Sequence, residues 1–91
     1  MADSVLVIHE NDNVAVALRD LEAGEEALFR GKILATALER VPAGHKVAIC
    51  EIERGGEIIK YGEPVGISTA VIRRGAWVHT HNLESGRWKR T

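Results

Sequence analysis

The sequence predicts a compact, barrel-like all-β domain in which one β unit of about 31 residues is duplicated around a pseudo-twofold axis. The first observation is an internal repeat. Aligning residue n with residue n+31 pairs Val16-Ala17-Leu18 with Val47-Ala48-Ile49, and Asp20-Leu21 with Glu51-Ile52. The same offset pairs Gly24 with Gly55, Glu26 with Glu57, Gly31 with Gly62, Gly44 with Gly75 and Val47 with Val78. The second is punctuation: an aliphatic residue, two others and a glycine recur from Leu21, Val41, Ile52 and Ile72. Glycine at such a place supplies the positive φ of a tight turn. The third is that the apolar runs are short and separated by turns, as in small barrels.

Each element follows from local pattern. Residues 4–8 are rich in β-branched side chains and read as a strand. Val14, Val16 and Leu18 alternate, giving a second strand; a helix capped by Asp12 is the weaker reading because the repeat contradicts it. Residues 46–52 form a third strand, and the turn at Gly55-Gly56 leads into another at 57–60. Strands at 65–72 and 76–81 follow. Residues 33–41 are ambiguous, since Ala-Thr-Ala-Leu-Glu-Arg also suits a helix, and Pro42 with Gly44 ends either one. The domain is expected to span 1–83. Residues 84–91, with Arg87, Trp88, Lys89 and Arg90, read as a polar basic tail that is flexible or docks elsewhere.

Composition bounds the function. Ninety-one residues at 45% hydrophobic content make one domain with a thin core, for which an obligate partner or homo-oligomer is expected. A net charge of -1 argues against general nucleic-acid binding, which needs concentrated positive charge. Cys50, alone, closes no internal disulfide and fits a reducing compartment; it reads as a small buried hydrophobe. The start, Met1-Ala2-Asp3-Ser4, has neither the basic nor the apolar segment of a secretion signal, and no apolar run would span a membrane. The expectation is a cytoplasmic protein. No GxSxG, P-loop, GxGxxG or CxxC pattern supports acyl transfer, nucleotide hydrolysis or dithiol chemistry.

Candidate chemistry gathers near the C-terminus, in Trp77-Val78-His79-Thr80-His81-Asn82. On a strand, His79 and His81 would share one face with Cα atoms about 7 Å apart, within reach of one metal ion or one anion. His45 is a third imidazole, and Lys60-Tyr61-Gly62 replaces Phe29-Arg30-Gly31 of the first repeat. Imidazoles, an ammonium, a phenol and a carboxamide together suit a hydroxy-acid carboxylate or a divalent ion. Each also has a plain reading: surface strand histidines, a solvated lysine before a turn, a histidine bonded to a turn carbonyl. Trp77 and Trp88 would be core or interface anchors, and Arg73-Arg74 solvated charge.

The run Asp12-Asn13-Val14-Ala15-Val16-Ala17-Leu18-Arg19-Asp20-Leu21-Glu22-Ala23-Gly24 resembles the opening of the SAF domain at the N-terminus of altronate and galactarate dehydratases, the UxaA family. Pro42-Ala43-Gly44-His45-Lys46-Val47-Ala48-Ile49, Gly56-Glu57-Ile58-Ile59-Lys60-Tyr61-Gly62-Glu63-Pro64-Val65-Gly66 and Val78-His79-Thr80-His81-Asn82-Leu83 are similar to three further segments of that family, in the same order. The resemblance implies a β-clip fold joined to a much larger catalytic region, in one polypeptide or as a separate subunit. Ending soon after the His-Asn motif, the chain is expected to be the separate small subunit, inactive without the large one. Family members are lyases of sugar acids or related hydroxy acids, commonly with a divalent metal, often iron(II); sulfolactate sulfo-lyase shares the two-part design but eliminates sulfite. By this resemblance His79 and His81 are expected to be catalytic and possible metal ligands, and His45, Lys60, Tyr61 and Asn82 to contact substrate. The iron(II) is expected mainly on the large subunit. Ile49-Cys50-Glu51 and Ala76-Trp77 depart from the common pattern. SAF-like modules also serve purely as carbohydrate- or partner-binding domains, and in that reading the histidines are incidental.

Overall fold

The computed structural model describes residues 2–85. Within them the chain is all strand and turn: β1 (Val5–Leu6), β2 (Val14–Ala17), β3 (Glu26–Phe29), β4 (Lys32–Thr36), β5 (Lys46–Ala48), β6 (Glu57–Lys60), β7 (Glu63–Ser68), β8 (Trp77–Val78) and β9 (Leu83–Ser85). An antiparallel sheet of order β1-β2-β5-β8 is flanked by the β3-β4 hairpin and by a sheet of order β6-β7-β9. The all-β expectation holds, and the ambiguous 33–41 segment is strand β4 followed by a loop.

The 31-residue repeat is written into the backbone. The hairpins β3-β4 and β6-β7 carry a register shift at the same place, between Ala27 and Leu28 and between Ile58 and Ile59. Isolated bridges join Leu21 to Val41 and Ile52 to Ile72. Positive φ recurs in repeat-related pairs: Gly24 and Gly55, Arg30 and Tyr61, Gly31 and Gly62, Gly44 and Gly75. A fixed set of turns defines where chain direction reverses, so equal spacing yields equal hairpins.

Two small cores result instead of one. Ala17, Leu21, Ala27, Val41 and Val47 belong to the first, and their repeat partners Ala48, Ile52, Ile58, Ile72 and Val78 to the second. Ala27 is replaced by Ile58, so the second core fills with fewer, larger side chains. Ile58 is fully buried. Ile58→Ala is expected to cost about 2–5 kcal/mol, because the cavity cannot collapse in so small a cluster; urea denaturation of the two proteins measures the difference.

Several boundaries differ from the sequence reading. The third strand stops at Ala48, one last bond from Ile49 N–H to the Asn13 carbonyl (3.0 Å) extending its pairing, and Cys50 is exposed, not buried. β3 and β9 were not foreseen; β9 pairs with β7, so Glu84 and Ser85 belong to a sheet. The remaining tail, with Arg87, Trp88, Lys89 and Arg90, lies outside the described residues. The last expected strand, 76–81, shortens to Trp77–Val78, so His79 and His81 do not sit on a strand.

A second correspondence appears only in three dimensions. Ser4 Oγ donates to the Glu26 carbonyl and accepts the Leu28 N–H, both at 2.8 Å, bridging the first bulge. Asn13 makes the same two bonds to Glu57 and Ile59, also at 2.8 Å. Asp3-Ser4 and Asp12-Asn13 are thus equivalent clamps, one for each hairpin.

Candidate functional site

The hairpin clamps position the first part of the site. Asp3, on the first hairpin, accepts one backbone N–H, from Arg30 at 2.9 Å. Asp12, on the second, is buried and accepts three, from His9 (3.0 Å), Tyr61 (3.2 Å) and Gly62 (2.8 Å). The His9 ring lies against Gly62, where a Cβ would approach it to 2.9 Å. These contacts hold Tyr61 at φ 62, a left-handed conformation that a bulky residue adopts only when its surroundings enforce it. The Tyr61 ring is presented outward, 58% exposed, with the Lys60 ammonium 5.0 Å from its centroid. Asp12→Ala strands those N–H groups and is expected to destabilise the domain by about 1–3 kcal/mol, read as a lowered urea midpoint; Asp3→Ala should cost much less.

Trp77 organises the second part. Its half-buried indole packs against the first core, and its backbone N–H donates to the Glu39 carboxylate at 3.1 Å. Its Nε1–H donates to His45 Nδ1 at 3.1 Å. That bond occupies the Nδ1 lone pair, so the neutral His45 ring carries its proton on Nε2 and presents a donor. The His79 ring stacks on the indole at 5.5 Å with a 7° interplanar angle, His81 tilts against it at 5.1 Å, and His45 and His79 lie 4.5 Å apart. The structure therefore brings together His45, His79 and His81 through an indole, not through strand alternation.

Asn82 makes this possible. Its Oδ1 accepts the His79 N–H and its Nδ2 donates to the Trp77 carbonyl, both at 2.9 Å, while its own N–H donates to the His79 carbonyl at 3.0 Å. The side chain expected to touch substrate is occupied in closing the turn that aims both histidines. A short side-chain amide competes well with strand pairing in this way.

Lys46, which sequence reasoning passed over, completes the group. It lies on β5 opposite Val16 and Val78, with a half-buried side chain. Burial, and then the Lys60 ammonium, push its pKa down. His79 is held below the ordinary imidazole value by partial burial first, then by His45, Lys46 and His81. The sequence signal for Lys46 was its place beside His45 on a strand whose neighbour, Val47, is core.

By themselves these residues do not complete a metal centre. Among the described residues no group of three or more His, Cys, Asp or Glu side chains could hold an ion. His45 Nδ1 is already bonded to the Trp77 indole N–H, so that lone pair is not open to an ion.

Fold and site define a small all-β module with three imidazoles gathered around one indole. The chain belongs to the altronate/galactarate dehydratase SAF domain family, whose profile matches residues 3–86. It is 45% identical over 78 residues to an altronate dehydratase of Escherichia coli, and 35% identical over 82 residues to one of Bacillus subtilis. These alignments cover 86% and 90% of the chain but 16% of each relative. A (2R)-sulfolactate sulfo-lyase subunit alpha of Chromohalobacter salexigens is 30% identical over 91 residues, covering 90% of the chain and 95% of that subunit. No helix among the described residues is long and apolar enough to cross a membrane.

Proposed function

We propose that the chain is the small subunit of a two-part lyase, altronate dehydratase-like, which eliminates water from a sugar acid at an active site shared with a large catalytic subunit. The observation that carries this reading is the Trp77-centred cluster. It gathers three imidazoles around one indole, yet supplies too few groups to complete an elimination alone.

Elimination from a 2,3-dihydroxy acid breaks the C–H bond α to the carboxylate and the C–O bond at the next carbon. His79, kept neutral by its surroundings, takes the proton from carbon 2. The electron pair passes through the enediolate, and the hydroxyl of carbon 3 leaves as water with a proton from protonated His81. The enol then tautomerises to a 2-oxo acid. His45 Nε2–H and the Lys60 ammonium bind the carboxylate, and Tyr61 flanks it. Iron(II), if the reaction uses it, belongs in this reading to the large subunit.

A second leaving group is supported by the sulfo-lyase relative, whose full length the alignment nearly covers. Sulfite would then depart where water does. Co-expression with a large subunit of the family, and assay on altronate, galactarate and sulfolactate with iron(II), tests the reading. Elimination of one of them by the complex, and by neither part alone, is the expected result. A complex inert on all three would sink it and favour a pure binding module.

A further inference from the structure

Trp77 is held at three points and takes no part in the proposed proton transfers. Its N–H donates to the Glu39 carboxylate at 3.1 Å, its carbonyl accepts from the Asn82 carboxamide at 2.9 Å, and its indole packs against the first core. The His45 backbone is fixed as well: its N–H donates to the Pro42 carbonyl at 3.0 Å, and its carbonyl accepts the Ala17 N–H at 2.9 Å. Among the described residues the His45 side chain makes one hydrogen bond, accepting Trp77 Nε1–H on Nδ1 at 3.1 Å, with the two rings 5.6 Å apart and tilted by 53°. An indole N–H can only donate, whereas a hydroxyl or carboxamide in its place could also accept. A partner that only donates admits only one neutral form of His45, with the proton on Nε2.

We infer that Trp77 is a positioning residue: its indole N–H locks the neutral His45 ring in the Nε2–H tautomer, so that the group His45 offers an anionic ligand is always a donor. That the anion is a hydroxy-acid carboxylate rests on the lyase reading; the lock does not. A neutral imidazole without such a partner exchanges between two tautomers, and in the other one Nε2 turns a lone pair toward the anion. Trp77 thereby divides the labour of the cluster. His45 is confined to donation, while His79, stacked on the indole face at 5.5 Å, receives no hydrogen bond from it.

The full chain is tested alone and with its large subunit. Alone, at about pH 8, where an ordinary imidazole is neutral, nitrogen NMR of the labelled chain should show a coupling through the hydrogen bond between Trp77 Nε1 and His45 Nδ1, with the His45 proton on Nε2. No coupling, or a proton on His45 Nδ1, overturns the lock. Replacing Trp77 by benzothienylalanine, which keeps the bicyclic shape but carries sulfur in place of the N–H, should leave the urea midpoint unchanged and turn His45 into a mixture of tautomers. Trp77→Phe, which also lacks the donor, should shift the tautomer in the same direction. A pure Nε2–H tautomer in both variants overturns the lock. In the complex, the benzothienyl variant should lower kcat/KM about two- to tenfold, chiefly through KM. The same replacement should cost nothing further in a His45→Ala background, because Trp77 acts through His45. An equal loss with and without His45, in an active complex, overturns the positioning role and leaves the lyase reading standing. If the wild-type complex eliminates nothing, the lyase reading fails and the NMR of the chain alone decides the lock.

Discussion

His79→Ala, in the complex with the large subunit, is expected to lower kcat by about 10²- to 10⁴-fold, the usual worth of a positioned proton acceptor. The complex should stay intact, because the turn that carries His79 is closed by its backbone and by Asn82, not by the imidazole. His81→Ala should lose less if its role is protonation of the leaving group, and the loss should shrink when that group is sulfite, which departs without help. The pH profile separates a chemical role from a structural one. Burial and the neighbouring His45, Lys46 and His81 favour neutral His79, so its folded pKa lies below the ordinary value near 6.5. Activity that needs the neutral ring therefore persists below pH 6.5 and falls only as the pH passes the lowered value. Stability runs the same way: below about pH 6.5 the unfolded chain takes up this proton first, so the folded state loses ground as the pH drops. His79→Ala should remove both effects. Full activity in His79→Ala and His81→Ala with an intact complex would refute the shared site.

A large stability effect is expected at Gly75. Its φ is +95, and a Cβ there would land on the Thr36 carbonyl and approach Leu38 Cγ to 3.3 Å. Gly75 N–H donates to the Ala48 carbonyl at 2.8 Å, and its own carbonyl accepts the Leu38 N–H at 2.9 Å. The glycine is thus wedged between the β4–β5 loop and the central sheet, where neither backbone yields cheaply. Gly75→Ala should cost about 2–5 kcal/mol. Gly44, its repeat partner, has φ +83 but open space around the missing Cβ. Gly44→Ala should therefore pay only the conformational penalty of about 1–2 kcal/mol. Urea denaturation of both variants isolates the steric part; equal losses would mean that Thr36 does not crowd Gly75.

Much of the scaffold was legible because the repeat lies in the residues that control chain reversal. Glycines at 24, 44, 55 and 75 mark positive-φ turns, and the aliphatic residues three positions earlier form the bridges Leu21–Val41 and Ile52–Ile72. Strand lengths were less legible. Residues 76–81 alternate well enough for a strand, yet Asn82 captures the His79 N–H that a ladder would have used. Cys50, read as a small buried hydrophobe, lies past the end of β5 and is exposed. The Asp3-Ser4 and Asp12-Asn13 clamps carry a visible signal, an Asp followed by a small polar residue and a valine, nine residues apart. Their meaning depended on the distant bulges that they bridge.

The sequence by itself determined the all-β class and the duplication and singled out the histidines proposed for the site, since turn chemistry and residue type are local properties. Only the tertiary structure decided how those histidines meet. Trp77 orders three rings, from His45, His79 and His81, that strand periodicity would have arranged differently. Asn82, expected to contact substrate, has its side-chain amide engaged in closing a turn; Lys46, passed over in the sequence, is a half-buried cation outside the ion pairs among the described residues. The physical reason is common to both. A polar side chain's role is set by which hydrogen bonds and charges surround it after folding, and those neighbours come from remote parts of the chain.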